Sequence, residues 1–70
     1  MQTKELRAEM IRYGDSNQTL ANELGRSMTS ISEKINGKSE FTQSEIALIM
    51  QRYKLSPEKV CEIFFASEVE

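Results

Sequence analysis

Apolar residues recur at helical spacing along almost the whole chain, in five short runs separated by turn and capping residues. The runs predict helices at about 3–13, 17–24, 28–36, 43–53 and 57–66, followed by a frayed tail at 67–70. Each predicted helix is too short to be stable alone in water. We therefore expect all five to pack together as one compact all-α domain over residues 1–70.

Capping residues mark the starts of the second and fourth helices. The sequence "DSNQ" offers Asp15 or Ser16 as the cap of the second helix, and Asp15 with Gln18 would form a capping box. Before the fourth helix, Thr42 is followed three residues later by Glu45, which is the spacing of a capping box. We expect each side chain of that pair to bond the backbone N–H of the other residue.

The cysteine and histidine content limits the chemistry of the chain. One cysteine and no histidine exclude a disulfide framework and a zinc site of the Cys/His type. Cys61 stands among Val60, Ile63 and Phe64, which favours a buried structural thiol over a reactive one. We expect no metal and no cofactor.

The chain has no sign of targeting or membrane insertion. Its first ten residues, "MQTKELRAEM", lack the apolar region of a signal peptide. The longest apolar run, residues 46–50, is far too short to span a bilayer. Because a lone unpaired cysteine fits a reducing compartment, we expect a cytoplasmic protein that does not contact membranes.

Charge is distributed unevenly between the two halves of the chain. The net charge is −2, but residues 1–38 carry six basic and five acidic groups, whereas residues 39–70 carry three basic and six acidic groups. A binding face needs only a local excess of positive charge. The first half is therefore the better candidate for binding an anionic partner.

The segment "TLANELGRSMTSISEKINGK", residues 19–38, contains two predicted helices joined by the three residues "GRS". A turn of three or four residues that contains glycine sets two helices at roughly 90–120°, the helix-turn-helix arrangement. Gly25 is therefore expected to divide two helices instead of interrupting one. In this arrangement the first helix packs on the domain and the second projects outward.

The residues of this segment resemble the DNA-binding helix-turn-helix of the phage repressor and Cro family. The matching positions are a polar residue that opens the second helix, a small residue, the turn glycine and a β-branched core residue: Asn17, Ala21, Gly25 and Ile31. The sequences "NGK" at 36–38 and "FT..EI" at 41–46 also resemble small Cro-like proteins of phages that infect Gram-positive bacteria. The resemblance covers about residues 3–65 and implies a lambda-repressor-like fold, operator DNA as partner and a bacterial host.

Two approaches indicate which residues of the third helix would meet bases. A helical wheel with Ile31 and Ile35 inward turns four residues outward, namely Thr29, Ser30, Glu33 and Lys34. The family pattern assigns base contacts to Met28, Thr29, Ser32 and Glu33. Both approaches select Thr29 and Glu33. Threonine can bond a base edge or touch a thymine methyl, and glutamate can accept from the cytosine amino group.

Contacts to the DNA backbone are expected from residues that flank the third helix. Asn17 and Gln18 open the second helix, whose N–H groups and positive dipole end suit a phosphate. Arg26 in the turn, and Asn36 with Lys38 after the third helix, are the other candidates. The alternatives are a solvated surface charge for Arg26 and Lys38, and a helix-terminating role for Asn36.

The leading hypothesis from sequence is a sequence-specific DNA-binding regulator that occupies an operator in a phage genetic switch. A homodimer would form through an exposed apolar patch of Phe65 with Val69 and Ile63, although Phe65 could equally be ordinary core. The alternative is a modulator or antirepressor that binds another phage repressor protein. The acidic second half and Glu33 on the outward helix suit docking on a basic DNA-binding surface.

An enzyme is the weakest hypothesis. The sequence "GKS" at 37–39 resembles the end of a phosphate-binding loop, but Ser32 stands where that motif needs glycine. The chain has no histidine and no nucleophile beside a base. We therefore expect no catalytic activity and no small-molecule substrate.

Overall fold

A computed structural model describes residues 3–65, and over that range the chain is all-helical with no strand. The elements are α1 (Thr3–Arg12), α2 (Asn17–Leu24), α3 (Met28–Ile35), α4 (Gln43–Arg52) and α5 (Pro57–Val60), which continues as a π-helical segment (Cys61–Phe65). The five expected helices are confirmed. Helices α1, α3 and α4 end one residue earlier than predicted, and the predicted tail at 67–70 lies outside the described residues.

Helix caps account for most of these boundaries. Ser16 caps α2, where its side chain and that of Thr19 bond each other's backbone N–H, so the predicted alternative of Asp15 with Gln18 is wrong. The predicted box of Thr42 and Glu45 at the start of α4 is confirmed. Local sequence spacing is sufficient for such caps because all the bonding partners lie within one helical turn.

One hydrophobic core joins all five helices. It is built from the side chains Leu6, Met10, Leu20, Ala21, Leu24, Ile31, Ile35, Phe41, Ile49, Tyr53, Leu55, Val60 and Ile63. Helices α2 and α3 pack on each other, and α1 contacts both α3 and the π-helical segment. The inner faces of α2 and α3 are therefore held by the rest of the domain.

The C-terminal helical segment corrects two expectations. Cys61 is exposed, so the prediction of a buried thiol is wrong. Its neighbours Val60 and Ile63 point inward, but residues adjacent along a helix point in different directions. Ile63 is fully buried and cannot join an exposed dimer patch, whereas Phe65 is 62% exposed. Val69, the third residue of the predicted patch, lies outside the described residues. No helix within residues 3–65 has the length and apolar character needed to cross a membrane.

Candidate functional site

The α2–α3 unit is built around a tight turn. Gly25 ends α2 in the left-handed conformation, with φ of +70°, which a residue without Cβ adopts at little cost. The backbone N–H of Arg26 then bonds the carbonyl of Ala21 at 2.9 Å. Ser27 caps α3 by accepting a hydrogen bond from the N–H of Ser30 at 3.1 Å. The chain therefore leaves α2 and enters α3 within three residues.

The four predicted base-contact residues all reach solvent, but only Thr29 and Glu33 lie on the outer face of α3. Thr29 and Glu33 are exposed, Ser32 is half-buried, and Met28 is 49% exposed. Residues four apart on a helix are neighbours, so Met28 with Ser32 and Thr29 with Glu33 form two adjacent rows. Ile31 and Ile35 are buried on the side opposite Thr29 and Glu33. Met28 and Ser32 each precede one of these isoleucines by three residues and so lie at the edge of the buried side.

Lys34 is not on this outer face, and its predicted outward orientation is wrong. Its side chain is only 12% exposed, and its Nζ lies 2.8 Å from each carboxylate oxygen of Glu45. Lys34 follows Ile31 by three residues and so shares its side of the helix. With Lys34 turned inward, the outer face of α3 carries the negative charge of Glu33 without a neighbouring positive charge from Lys34.

Glu45 is the buried centre of a charged group that we call the Glu45 cluster, formed by Glu45, Arg26 and Lys34. Besides Lys34, its carboxylate accepts hydrogen bonds from Arg26 Nε at 2.7 Å and from the Thr42 N–H at 2.8 Å. Burial opposes ionisation of Glu45, but the bonds from Lys34, Thr42 and Arg26 lower its pKa to about 2. The cluster joins the α2–α3 turn, α3 and the start of α4, and its net charge is +1.

A second group of charged and polar side chains surrounds the buried side chain of Asp15 and holds the start of α2. We call it the Asp15 cluster, formed by Asp15, Thr19, Glu23, Arg52 and Tyr53. Arg52 donates two hydrogen bonds of 2.7 Å to the two oxygens of Asp15, while Tyr53 and Thr19 donate at 2.6 and 2.9 Å. The bond from Arg52 is the largest cause that holds the pKa of Asp15 far below its usual range. Arg52 also pairs with Glu23 at 3.2 Å, which gives this group an excess of negative charge.

The two clusters lie at opposite ends of α4, since Glu45 is in its first turn and Arg52 is its last residue. Each cluster ties α4 to one end of the helix-turn-helix segment: Asp15 precedes α2, and Arg26 lies in the turn before α3. Sequence reasoning missed both clusters, because their partners are 11 to 38 residues apart in the chain.

The five predicted phosphate-contact residues have different surroundings. Asn17 is half-buried at the start of α2, and the exposed Gln18 beside it donates to Asn22 at 2.9 Å. Asn36 follows the last residue of α3, in agreement with the helix-terminating role that was its alternative. Its side-chain oxygen accepts a hydrogen bond from Arg7. Lys38 is exposed after that helix.

Arg26 is a positively charged candidate that is both anchored and accessible. Its Nε bonds Glu45, yet 46% of its side chain remains exposed to solvent. A guanidinium carries five N–H donors, so one bond to Glu45 leaves donors for a further partner. Arg26 is therefore the best prepared anion ligand of the predicted set.

An open groove of about 460 Å³ lies beside the end of α3. Its apolar lining consists of Phe41, Ile46, Phe64 and Phe65, and its polar rim includes Asn36 and Glu40. Phe41 and Phe64 meet edge to face, with ring centroids 5.6 Å apart. Within residues 3–65, no group of three or more acidic or cysteine side chains is arranged to hold a metal ion.

In comparisons with protein families, curated proteins and solved structures, no match to this chain was found. The functional argument therefore depends on the geometry of the α2–α3 unit and on the charges around it.

Proposed function

We propose that this chain is a lambda-repressor-like helix-turn-helix protein that binds a specific operator sequence and regulates transcription in a phage genetic switch. The observation that carries the proposal is the asymmetry of α3. Its inner side is fixed by Ile31, Ile35 and the Lys34–Glu45 bond. Its outer side carries Thr29 and Glu33, and Met28 and Ser32 lie at the edge. A helix held in this way can enter the major groove, which is wide enough to admit it.

In the proposed complex the outer face of α3 and the adjoining edge read bases. Thr29 and Ser32 bond base edges or contact a thymine methyl, and Met28 supplies apolar contact. Glu33 accepts a hydrogen bond from a cytosine amino group, but phosphates repel its charge. Glu33 therefore contributes selectivity to the complex and little affinity.

The affinity of the proposed complex comes from backbone contacts on both sides of α3. Asn17 and Gln18 at the start of α2 offer N–H groups that have no acceptor within the helix. Arg26 binds a phosphate beside the start of α3, while Asn36 and Lys38 bind one beyond its end. These five residues fix the orientation of the protein and carry no base information themselves.

The proposal includes a second copy of the chain as a partner. Phe65 exposes a large apolar surface at the rim of the groove that also contains Phe41 and Phe64. A symmetric dimer would bring Phe65 of each copy to the same patch of the other copy. Two α3 helices related by such a two-fold axis read a palindromic operator.

A second candidate function is an antirepressor that binds the DNA-binding surface of another regulator. The observation that favours it is the charge on the outer face of α3, where Glu33 is exposed and Lys34 is turned inward. A negative face of this kind complements a basic protein surface and is repelled by DNA. This function would use the same helix with a different partner.

Selection of duplexes from a randomised DNA library by the purified full chain tests the leading proposal. We expect enrichment of one sequence, tight binding to that duplex, weaker binding to a scrambled duplex, and affinity that falls steeply as salt rises. The variant Thr29→Ala should relax the preference at one base position and leave the salt dependence unchanged. If no duplex is enriched or bound even at low salt, the DNA-binding proposal is wrong and a protein partner is favoured.

A further inference from the structure

The surplus positive charge of the Glu45 cluster reaches solvent through Arg26. Glu45 contributes one negative charge, and Arg26 and Lys34 contribute two positive charges. Arg26 Nε lies 2.7 Å and Lys34 Nζ lies 2.8 Å from the Glu45 carboxylate. The Lys34 side chain is 12% exposed and that of Arg26 is 46% exposed. An anion that approaches this cluster therefore meets the guanidinium first.

The bond to Glu45 restricts the plane in which the Arg26 guanidinium lies. Because the guanidinium is a rigid fork, fixing its Nε also fixes the direction of its other N–H groups. A long side chain that is already ordered loses less rotamer entropy when it binds a partner. The approaching anion does not meet the carboxylate of Glu45, because Glu45 is buried.

We propose that Glu45 is a positioning residue for DNA binding, which fixes Arg26 beside the start of α3 so that its remaining N–H groups receive a backbone phosphate. This inference rests on the proposed function, because it needs DNA as the ligand. It adds a buried acidic residue of α4 to a binding face otherwise formed by α2, α3 and the segments that flank them. Glu45 acts only through Arg26 and does not touch DNA.

The variant Glu45→Gln gives a test in which two effects have opposite signs. Removing a buried negative charge makes the protein more positive and releases Lys34, so charge alone predicts tighter DNA binding. Loss of positioning predicts weaker binding, by about threefold or more, because a charged hydrogen bond to phosphate is no longer preformed. The measurement is a titration of the duplex recovered by selection, at several salt concentrations.

Three further variants serve as controls. Glu40→Gln removes the same charge from an exposed position and should leave affinity unchanged or slightly higher. Arg26→Ala should weaken binding. It should also reduce by about 1 the slope of the logarithm of the binding constant against the logarithm of the salt concentration. Arg12→Ala removes an equal charge from α1, near Tyr53 and Lys54, and should have little effect on the slope.

Combining Glu45→Gln with Arg26→Ala separates positioning from a general displacement of α3. We expect Glu45→Gln to cause no further weakening once Arg26 is absent. Thermal unfolding establishes that each variant is folded. The Nε–H signal of Arg26 in NMR spectra should be seen in the parent chain and should exchange faster with solvent in Glu45→Gln, where three donors share one neutral oxygen.

Two results would overturn the inference while leaving the proposed function intact. In the first, folded Glu45→Gln binds the selected duplex as tightly as Glu40→Gln does. In the second, Glu45→Gln still weakens binding to the duplex when it is added to Arg26→Ala. Failure of the unmodified chain to bind any duplex would instead contradict the proposed function, and the phosphate role of Arg26 with it.

Discussion

The ammonium group of Lys34 lies 2.8 Å from both carboxylate oxygens of Glu45, and this contact joins the middle of the fold to the helix proposed to read DNA. Lys34 belongs to α3, and Glu45 belongs to the first turn of α4. The same carboxylate also binds Arg26 in the turn. One buried side chain thus holds both the turn before α3 and the last turn of α3.

Removal of the Glu45 carboxylate should destabilise the domain strongly. In Glu45→Ala, Lys34 is left nearly buried without a counter-charge and the Thr42 N–H loses its acceptor. Breaking a buried pair in this way costs about 3–5 kcal/mol of unfolding free energy. Urea unfolding measures it, with the exposed Glu40→Ala as a control that should change stability by less than about 0.5 kcal/mol. Equal effects of the two substitutions would contradict the role of the cluster.

The Asp15 cluster should be more sensitive at its centre than at its edge. Asp15→Asn replaces the carboxylate that accepts from Arg52, Tyr53 and Thr19, and we expect a loss of about 1–3 kcal/mol. Glu23→Gln removes the half-exposed outer partner of Arg52 and should cost below about 1 kcal/mol. Chemical unfolding of both variants gives the comparison, and a larger loss for Glu23→Gln would show that Asp15 is not the central acceptor.

Stability should fall as the solution is acidified. The pKa of Glu45 is lowered to about 2 and that of Asp15 lies far below its usual range, so the unfolded chain takes up protons at higher pH than the folded one. Their contribution is therefore complete above pH 4.5, the ordinary pKa of glutamate, and is lost as pH falls towards 2. Unfolding free energies measured between pH 7 and pH 2 should show this decline. A chain carrying Asp15→Asn and Glu45→Gln should be less stable at pH 7 and show a much flatter dependence.

Replacing Gly25 by alanine should destabilise the domain, because the turn before α3 holds this residue in the left-handed conformation. An added Cβ meets no atom within 4 Å, so the cost of Gly25→Ala comes from its φ of +70° and not from a clash. A residue with Cβ in that conformation costs about 1–2 kcal/mol. Gly25→Asn should cost less, because asparagine adopts the left-handed region more readily. Thermal unfolding of the two variants measures the difference, and equal stability of Gly25→Ala and the parent chain would contradict this account.

The helices and their caps could be predicted from the sequence because both depend on residues close together in the chain. The spacing of Leu20, Ala21 and Leu24 identified the buried face of α2, and the box of Thr42 and Glu45 identified the start of α4. Such signals involve partners no more than four residues apart. They establish an all-helical chain and its boundaries to within one residue at most helix ends.

The charged clusters could not be predicted in the same way. Glu45 was recognised as part of a capping box, but nothing local indicates that its carboxylate also receives Arg26, 19 residues away. Lys34 was assigned to the outer face, although its position three residues after Ile31 puts it on the edge of the buried side. A long cationic side chain on such an edge can turn either way, and the position of a buried carboxylate decides its direction.

Amide chemical-shift mapping of the full chain with the duplex recovered by selection tests the central claim most directly. The account predicts that the perturbed amides fall at 17–18, 26–33 and 36–38, which flank or form the outer face of α3. It also predicts that changes in α5 and the π-helical segment are confined to the amides around Phe65, where the proposed dimer forms. Perturbations confined to α4 and α5 would contradict the assignment of α3 as the DNA-binding helix.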